Sequence, residues 1–443
     1  HLVNGFGAVL VFVAAFSLYA ATLAPGPVPG DPSEYIFVPY ILGVAHPPGY
    51  AFYTLLARLW QTIVQAGTVA FRTNLLAAFA GALVVTLVYG IVQQVCHSEP
   101  RSGRDWAQTL PAVFAALSAM AGVDLWQHSL YSNAHILTTV LATLDLFLLV
   151  CWQRTANDRW LYSAVFVAGL SLTHHPILAF SFPAFAVFVL LVKPRLLVQP
   201  RKLIALAASL ALGLVPFLYY PLRGPSAPFN TLPTQEAMLI HVTARGLTVN
   251  LFPFGLSDQP TRLIVFGELL RLQYPLVTIT LAALGALWLM LRQPKLLALV
   301  CVFLLFHLGF VLNTLQDVLA YLMPSFVVLA VLASLGLSAL MTTIKNPGHT
   351  DAQTPDLVHW VSVCLGVLMV FIPLTTVAHN MPRVSLRGYR AGDAWVEAVF
   401  DQFAGKRQHA VLLAEWEALT PLWVAQYTQG RTLDPADVKL VYV

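Results

Sequence analysis

The stretch Gly30–Tyr50, GDPSEYIFVPYILGVAHPPGY, places two carboxylates, Asp31 and Glu34, just after a long apolar run and closes on a His-Pro-Pro-Gly turn. Nearly everything around it is apolar. Hydrophobic residues make up 58% of the 443-residue chain and charged residues 10%, with a mean hydropathy of +0.73. Soluble domains carry roughly 25% charged residues, so the composition is that of an integral membrane protein. The formal charge of +4 is small and argues against nucleic-acid binding.

Apolar runs long enough to cross roughly 30 Å of hydrocarbon recur along the chain. They fall near 2–24, 71–95, 108–126, 133–152, 160–174, 177–192, 203–221, 275–291, 297–313, 319–342 and 357–377. The expectation is an all-α polytopic membrane protein with about eleven spans, because a backbone in lipid must satisfy its polar groups within the segment. The chain opens at His1 and stops at Val443, so trimming at one or both ends is expected. The first run is too long for the core of a signal peptide.

Lys and Arg in short loops give the orientation. Arg101 and Arg104, Arg154 and Arg159, Lys193 to Lys202, Arg292 and Lys295, and Lys345 follow the even-numbered spans. Those loops are read as cytoplasmic, which puts loops 25–70 and 222–274 and the tail 378–443 outside. On this reading the polar residues gather on the outer face. Segment 50–65 reads as a helix in the membrane interface. Thr234 is a plausible N-cap for a helix to Arg245. The tail reads as a small α/β segment: a helix at 393–403, a strand in HAVLLAEWE, a helix ending at Gly430, and a strand in VKLVYV.

A carboxylate beside a bilayer is costly and usually has a reason. Asp31 and Glu34 suit a general base, which glycosyl transfer to a hydroxyl requires. They equally suit a Pro-flanked turn and the first turn of a helix. His46 is held by a stiff turn. His174 and His175 close an outer hairpin and suit hydrogen bonding to a phosphate or sugar, or simple packing. Arg223 suits bidentate phosphate binding or a snorkelling anchor. Asp317 suits a helix cap or a sugar ligand. The four cysteines form no CxxC pair, which argues against a cysteine zinc site and a disulfide framework; a metal site built from Asp31, Glu34, His174 and His175 is the lesser alternative, and no divalent metal is expected. P-loop, GxSxG and HExxH patterns are absent from the sequence.

The chain resembles the transmembrane protein 260 family, known in bacteria as domain of unknown function 2723. The resemblance rests on GDPSEYIFVPYILGVAHPPGYAFYTLLARLW, GLSLTHHP, YYPLRGPSAPFNTLPTQEAMLIHVTARG and LNTLQDVLAYLMPS, and on the tail LTPLWVAQYTQGRTLDPADVKLVYV. It implies a GT-C type fold over 1–377, with 378–443 as the extracytoplasmic segment. It implies inverting transfer of a mannose-like sugar from a polyprenyl-phosphate donor to a hydroxyl on a protein or glycan acceptor. Asp31 is then the base, with Glu34 beside it and His46, Tyr50, His174, His175, Arg223 and Asp317 around the substrate. In WQHSLYSNAHIL, Asn133 and His135 stand where the resemblance implies a glutamate followed by an aromatic residue, so substrate contacts differ at this turn. A bacterial cell membrane with the site facing outward is expected from the Ala- and Leu-rich spans. The alternative is a polytopic transporter or lipid flippase, but transporters place ionisable groups near the midplane, where this chain has chiefly Asp145.

Overall fold

The structure, a computed structural model, describes residues 5–96, 106–245, 251–314, 318–345, 355–403, 410–431 and 438–442. Arg101, Arg104 and Asp317 lie outside the described residues. The chain is built almost wholly of helices. The first half holds α1 (Gly5–Thr22), α2 (Asp31–Ile41), α3 (Ala51–Ile63), α4 (Val69–Cys96), α5 (Trp106–Ala121), α6 (Val123–His128), α7 (Ala134–Thr155), α8 (Asp158–His174), α9 (Phe182–Val192) and α10 (Pro200–Gly213). The second half holds α11 (Tyr219–Arg223), α12 (Gln235–Val242), α13 (Gln259–Gln273), α14 (Leu276–Arg292), α15 (Pro294–Val311), α16 (Val318–Lys345) and α17 (Pro355–Val384). The tail adds α18 (Ala391–Phe403), β1 (Ala410–Ala414), α19 (Trp416–Gln429) and β2 (Val438–Tyr442), with β1 and β2 paired in parallel.

Among the described residues, six helices are long and apolar enough to cross a membrane: α1, α4, α7, α15, the body of α16 and the end of α17. Two bent pairs raise the number to eight if each is one span. Every apolar run expected to span contains a helix, but several are shorter than a full crossing. The run near 108–126 is broken at Gly122, whose extended backbone separates α5 from α6. Segment 222–274, read as a loop with one helix, also contains α13. The helical segment Leu256–Gln273 meets α14 at 109°, so the chain turns sharply there rather than continuing one span.

The interior is formed by α4, α7 and α16, which are largely buried within the protein, while α1, α15 and α17 keep broad apolar faces outward. Helices in lipid gain little from hydrophobicity against one another and rely on close packing at small residues. Gly285 of α14 and Gly336 of α16 show this. A Cβ at Gly285 would lie 1.8 Å from the Leu332 carbonyl oxygen, and one at Gly336 would lie 2.0 Å from that of Leu281.

One buried amide organises the end of the bundle that carries the site. Asn74 of α4 donates to the carbonyls of Ala24 at 2.7 Å and Gly26 at 3.0 Å, and accepts from the Ser132 amide at 2.8 Å. The Ser132 hydroxyl donates to the Pro32 carbonyl at 2.5 Å. The start of α2 is thereby fixed beside the turn that begins α7.

Replacing Gly285 by Val should destabilise the protein by about 1–3 kcal/mol or more, read as a lower thermal midpoint in detergent. Gly309→Ala is the control, since a Cβ there meets nothing within 4 Å.

Candidate active site

Helix α2 starts where the sequence demands it. Gly30 has φ 81°, a conformation that disfavours residues with a Cβ. Pro32 stands in the first turn, and Asp31 and Glu34 put negative charge at the positive end of the helix. The two carboxylates then part ways. Glu34 is fully buried, whereas the Asp31 side chain is 48% exposed.

Glu34 is spent on His46. Its Oε1 accepts from the His46 backbone amide at 2.8 Å, and its Oε2 lies 2.5 Å from His46 Nδ1. The other ring nitrogen, Nε2, stands 3.8 Å from Asp31 Oδ2. Burial disfavours a charged His46, but the Glu34 carboxylate, its hydrogen bond and the Asp31 charge outweigh that and raise the His46 pKa to about 9. At neutral pH the ring is therefore an imidazolium between two carboxylates.

The turn that carries His46 is braced from residues 219–241. Gly49, at φ 92°, donates its amide to the His46 carbonyl at 2.7 Å. A Cβ on Gly49 would fall 2.5 Å from the Tyr220 hydroxyl, which itself donates to the Pro48 carbonyl at 2.9 Å. His241 Nε2 lies 2.9 Å from the Ala45 carbonyl oxygen. Tyr219 donates to the Gly43 carbonyl at 2.6 Å.

A cavity of about 580 Å³ opens above this cluster. Asp31, His46, Tyr50 and His175 line it, together with Asn133, His135 and Tyr321. Ile177, Phe180, Leu251, Phe252 and Phe310 add apolar lining. Burial pushes the Tyr50 phenol well above its ordinary value and, helped by His174 and His46, lowers His175 to about 3, so both are neutral.

The structure places the remaining expected site residues differently. His174 is buried behind the wall, with Nε2 2.9 Å from the Ala134 carbonyl oxygen and 3.1 Å from the Thr138 hydroxyl. In place of a phosphate contact, Arg223 donates to the carbonyls of Leu42 at 2.9 Å and Ile41 at 3.3 Å, which caps the end of α2. Neither residue lines the cavity. Sequence reasoning missed Trp416, whose indole N–H donates to Asp31 Oδ1 at 2.7 Å. It also missed Tyr321, although the stretch LNTLQDVLAYLMPS contains it. Thr420 reinforces the docking of the tail by accepting from the Gly30 amide at 2.9 Å.

Asp31, Glu34 and His46 offer ligand atoms within 4.8 Å of one another, a set that could hold a divalent cation. As arranged, Glu34 is already committed to His46, so a cation would have to displace the Nδ1 proton.

Residues 31–197 match the family described as the protein O-mannosyl-transferase TMEM260 N-terminal domain. The resemblance to the transmembrane protein 260 family holds. Protein O-mannosyl-transferase TMEM260 of Mus musculus is 31% identical over 227 residues, which are 48% of this chain and 30% of the mouse protein. Its namesake in Dictyostelium discoideum is 22% identical over 306 residues, 64% of this chain and 36% of that protein. The chain thus spans about a third of the length of these relatives. Among solved structures, ArnT from Cupriavidus metallidurans bound to undecaprenyl phosphate superposes with a TM-score of 0.63 at 14% identity, over 99% of this chain and 90% of that one. Arabinosyltransferase EmbB from Mycobacterium smegmatis gives a TM-score of 0.50 at 11% identity, over 87% of this chain and 41% of that one. The fold is the GT-C type of polytopic membrane protein.

The raised His46 pKa has a sign that can be checked. Its contribution to stability is complete below the ordinary value near 6.5 and is lost as pH rises through about 9. His46→Gln should lower the thermal midpoint at neutral pH, and its deficit relative to wild type should shrink between about pH 7 and 10. A deficit that stays constant over that window would show that the imidazolium is not the stabilising form.

Proposed function

We propose that this chain is an inverting glycosyltransferase that moves a mannose-like sugar from a polyprenyl-phosphate donor to a hydroxyl of a protein or glycan acceptor. The observation that carries this reading is the cavity itself. A half-exposed Asp31 lines it with Tyr50, His135 and His175, and the same cavity carries the aromatic and aliphatic side chains of Ile177, Phe180, Leu251, Phe252 and Phe310. Such a cavity fits a molecule with a sugar at one end and a prenyl chain at the other. The names of the relatives, protein O-mannosyl-transferases, support the reaction class, and undecaprenyl phosphate bound to ArnT supports a lipid phosphate.

In the proposed reaction the acceptor hydroxyl gives its proton to Asp31 Oδ2 as its oxygen attacks the anomeric carbon. The bond from that carbon to the phosphate oxygen breaks on the opposite face, and the lipid phosphate leaves. Trp416 holds Oδ1, so the free oxygen is the one nearer His46. Glu34 does not reach substrate. It keeps His46 charged and in place, which makes it a positioning residue. His174 and Arg223 act one step further out, on the backbones that carry the site.

The charge distribution supports the orientation. Asp158, Lys193 and Lys202 are joined at the start of α8, and His174 and the cavity stand at its other end. A cytoplasmic basic end puts the site on the outer face. We place the protein in a bacterial cell membrane on the same grounds of composition.

Asp31→Asn should lower transfer from a polyprenyl-phosphate mannose by about 10²–10⁴-fold, and undiminished transfer would remove Asp31 as the base. Chelation should leave the wild-type rate unchanged. Loss of activity on chelation, restored by one divalent ion, would instead assign Asp31, Glu34 and His46 to a metal.

A further inference from the structure

The cavity contains a second polar wall that the proposed proton transfer does not use. His135, in the first turn of α7, stands with its ring centroid 5.6 Å from that of His175 and 4.9 Å from that of Tyr321. His175 and Tyr321 are 5.5 Å apart, which closes the triangle. Tyr50 separates this group from the base, with ring distances of 5.4 Å to His46 and 5.5 Å to His175.

Several features of this wall point to an anionic ligand. His135 is 9% exposed and lines the cavity, and its Nδ1, which is enclosed, has no hydrogen-bond partner among the described residues. His175 Nδ1 accepts from the Ile177 amide at 3.1 Å, so the neutral ring carries its proton on Nε2 as a donor. The 22-residue α7 directs the positive end of its dipole toward the same wall, where its N-cap Asn133 accepts from the His135 amide at 2.6 Å. Among the described residues, no Lys or Arg lines the cavity. From His175 the chain runs through Ile177 to Phe180, which stacks on Phe310 at 4.3 Å, so the polar wall adjoins apolar lining residues directly.

We infer that His135, at the N-terminus of α7, and His175, just past the end of α8, form the subsite for the phosphate of the lipid donor. The inference rests on the glycosyltransferase reading and adds to it the place where the phosphate sits. The phosphate is held by imidazole N–H groups and a helix end instead of by Arg223. Its non-bridging oxygens face His135 and His175, the prenyl chain passes Phe180 and Phe310, and the sugar lies toward Tyr50 and Asp31.

Binding separates this subsite from the chemistry. Undecaprenyl phosphate, undecaprenol and inorganic phosphate are titrated onto the purified full chain in detergent. Wild type is expected to bind undecaprenyl phosphate at least tenfold more tightly than either of the others. His135→Phe and His175→Phe should each weaken the phosphate lipid at least tenfold and leave undecaprenol unchanged. His135→Gln, which keeps a donor, should recover part of the loss and guards against misfolding of the Phe variant. Asp31→Asn should bind the phosphate lipid at least as well as wild type. Equal binding of the phosphate lipid by wild type, His135→Phe and His135→Gln would overturn the subsite and leave the transferase reading standing. Equal binding of phosphate lipid and polyprenol by wild type would also overturn it, as would inorganic phosphate binding as tightly as the lipid. Binding of neither lipid by wild type would overturn the donor reading and the subsite together.

Discussion

The burial of Glu34 is the constraint on which the site-bearing end of this protein depends. A carboxylate without solvent costs several kcal/mol unless it is paired and hydrogen-bonded. Here both oxygens are used, one on the His46 backbone and one on its ring. That demand fixes the path of the chain between α2 and α3, because His46 must return to within reach of the helix it left. The His-Pro-Pro-Gly turn provides the return. Tyr219, Tyr220, Arg223 and His241 then bond to the carbonyls the turn leaves open. What the sequence shows as the end of the run 203–221 and the separate loop 222–274 is, in the folded protein, the clamp on the first loop.

This arrangement explains which parts of the site were legible in the sequence. Asp31, between Gly30 and Pro32, and His46, at the head of a Pro-Pro-Gly turn, stood out as polar residues in a largely apolar chain, and the structure brings both to the cavity. The α/β alternation of the tail was legible for a similar reason: 410–414 and 438–442 change period from the helices around them. Arg223 and His174 have the right chemistry for a ligand, and sequence alone could not show that a backbone carbonyl would claim each first. The partners of a long side chain depend on which helix end lies beside it, which is tertiary information. The segment Leu256–Gln273 was missed because its charged residues, Arg262, Glu268 and Arg271, interrupt the apolar run that marks a span.

Trp416 shows the same limit at longer range. It lies 385 residues from Asp31 in sequence, yet its indole holds one of the two carboxylate oxygens. The tail is therefore more than an appendage. Phe37 of α2 packs against Trp423 and Tyr427 of α19, and Phe229, between α11 and α12, packs against Trp423. Asp31 thus sits where α2, α19 and the His46 turn meet, with a hydrogen bond on one side and an imidazolium on the other. A carboxylate so held needs little reorganisation to accept a proton, which is the condition under which a preorganised group contributes most to a reaction.

The charge balance of the cavity ties the two walls together. Asp31 and Glu34 bring two negative charges and His46 one positive, and the described lining residues add no Lys or Arg. In the proposed transfer, a phosphodiester becomes a phosphomonoester and gains a negative charge as the sugar departs. In the same step Asp31 takes the acceptor's proton and loses one. The total charge of the cavity therefore does not change during the reaction; negative charge moves from the Asp31 end toward the His135 end. The N-terminus of α7 and the two imidazoles lie where that charge arrives. Interactions that strengthen only as charge develops lower the barrier more than equal binding of the ground state does. A fixed Arg beside the phosphate would hold the starting diester tightly as well. Neutral donors and a helix end bind the diester weakly and the departing monoester better.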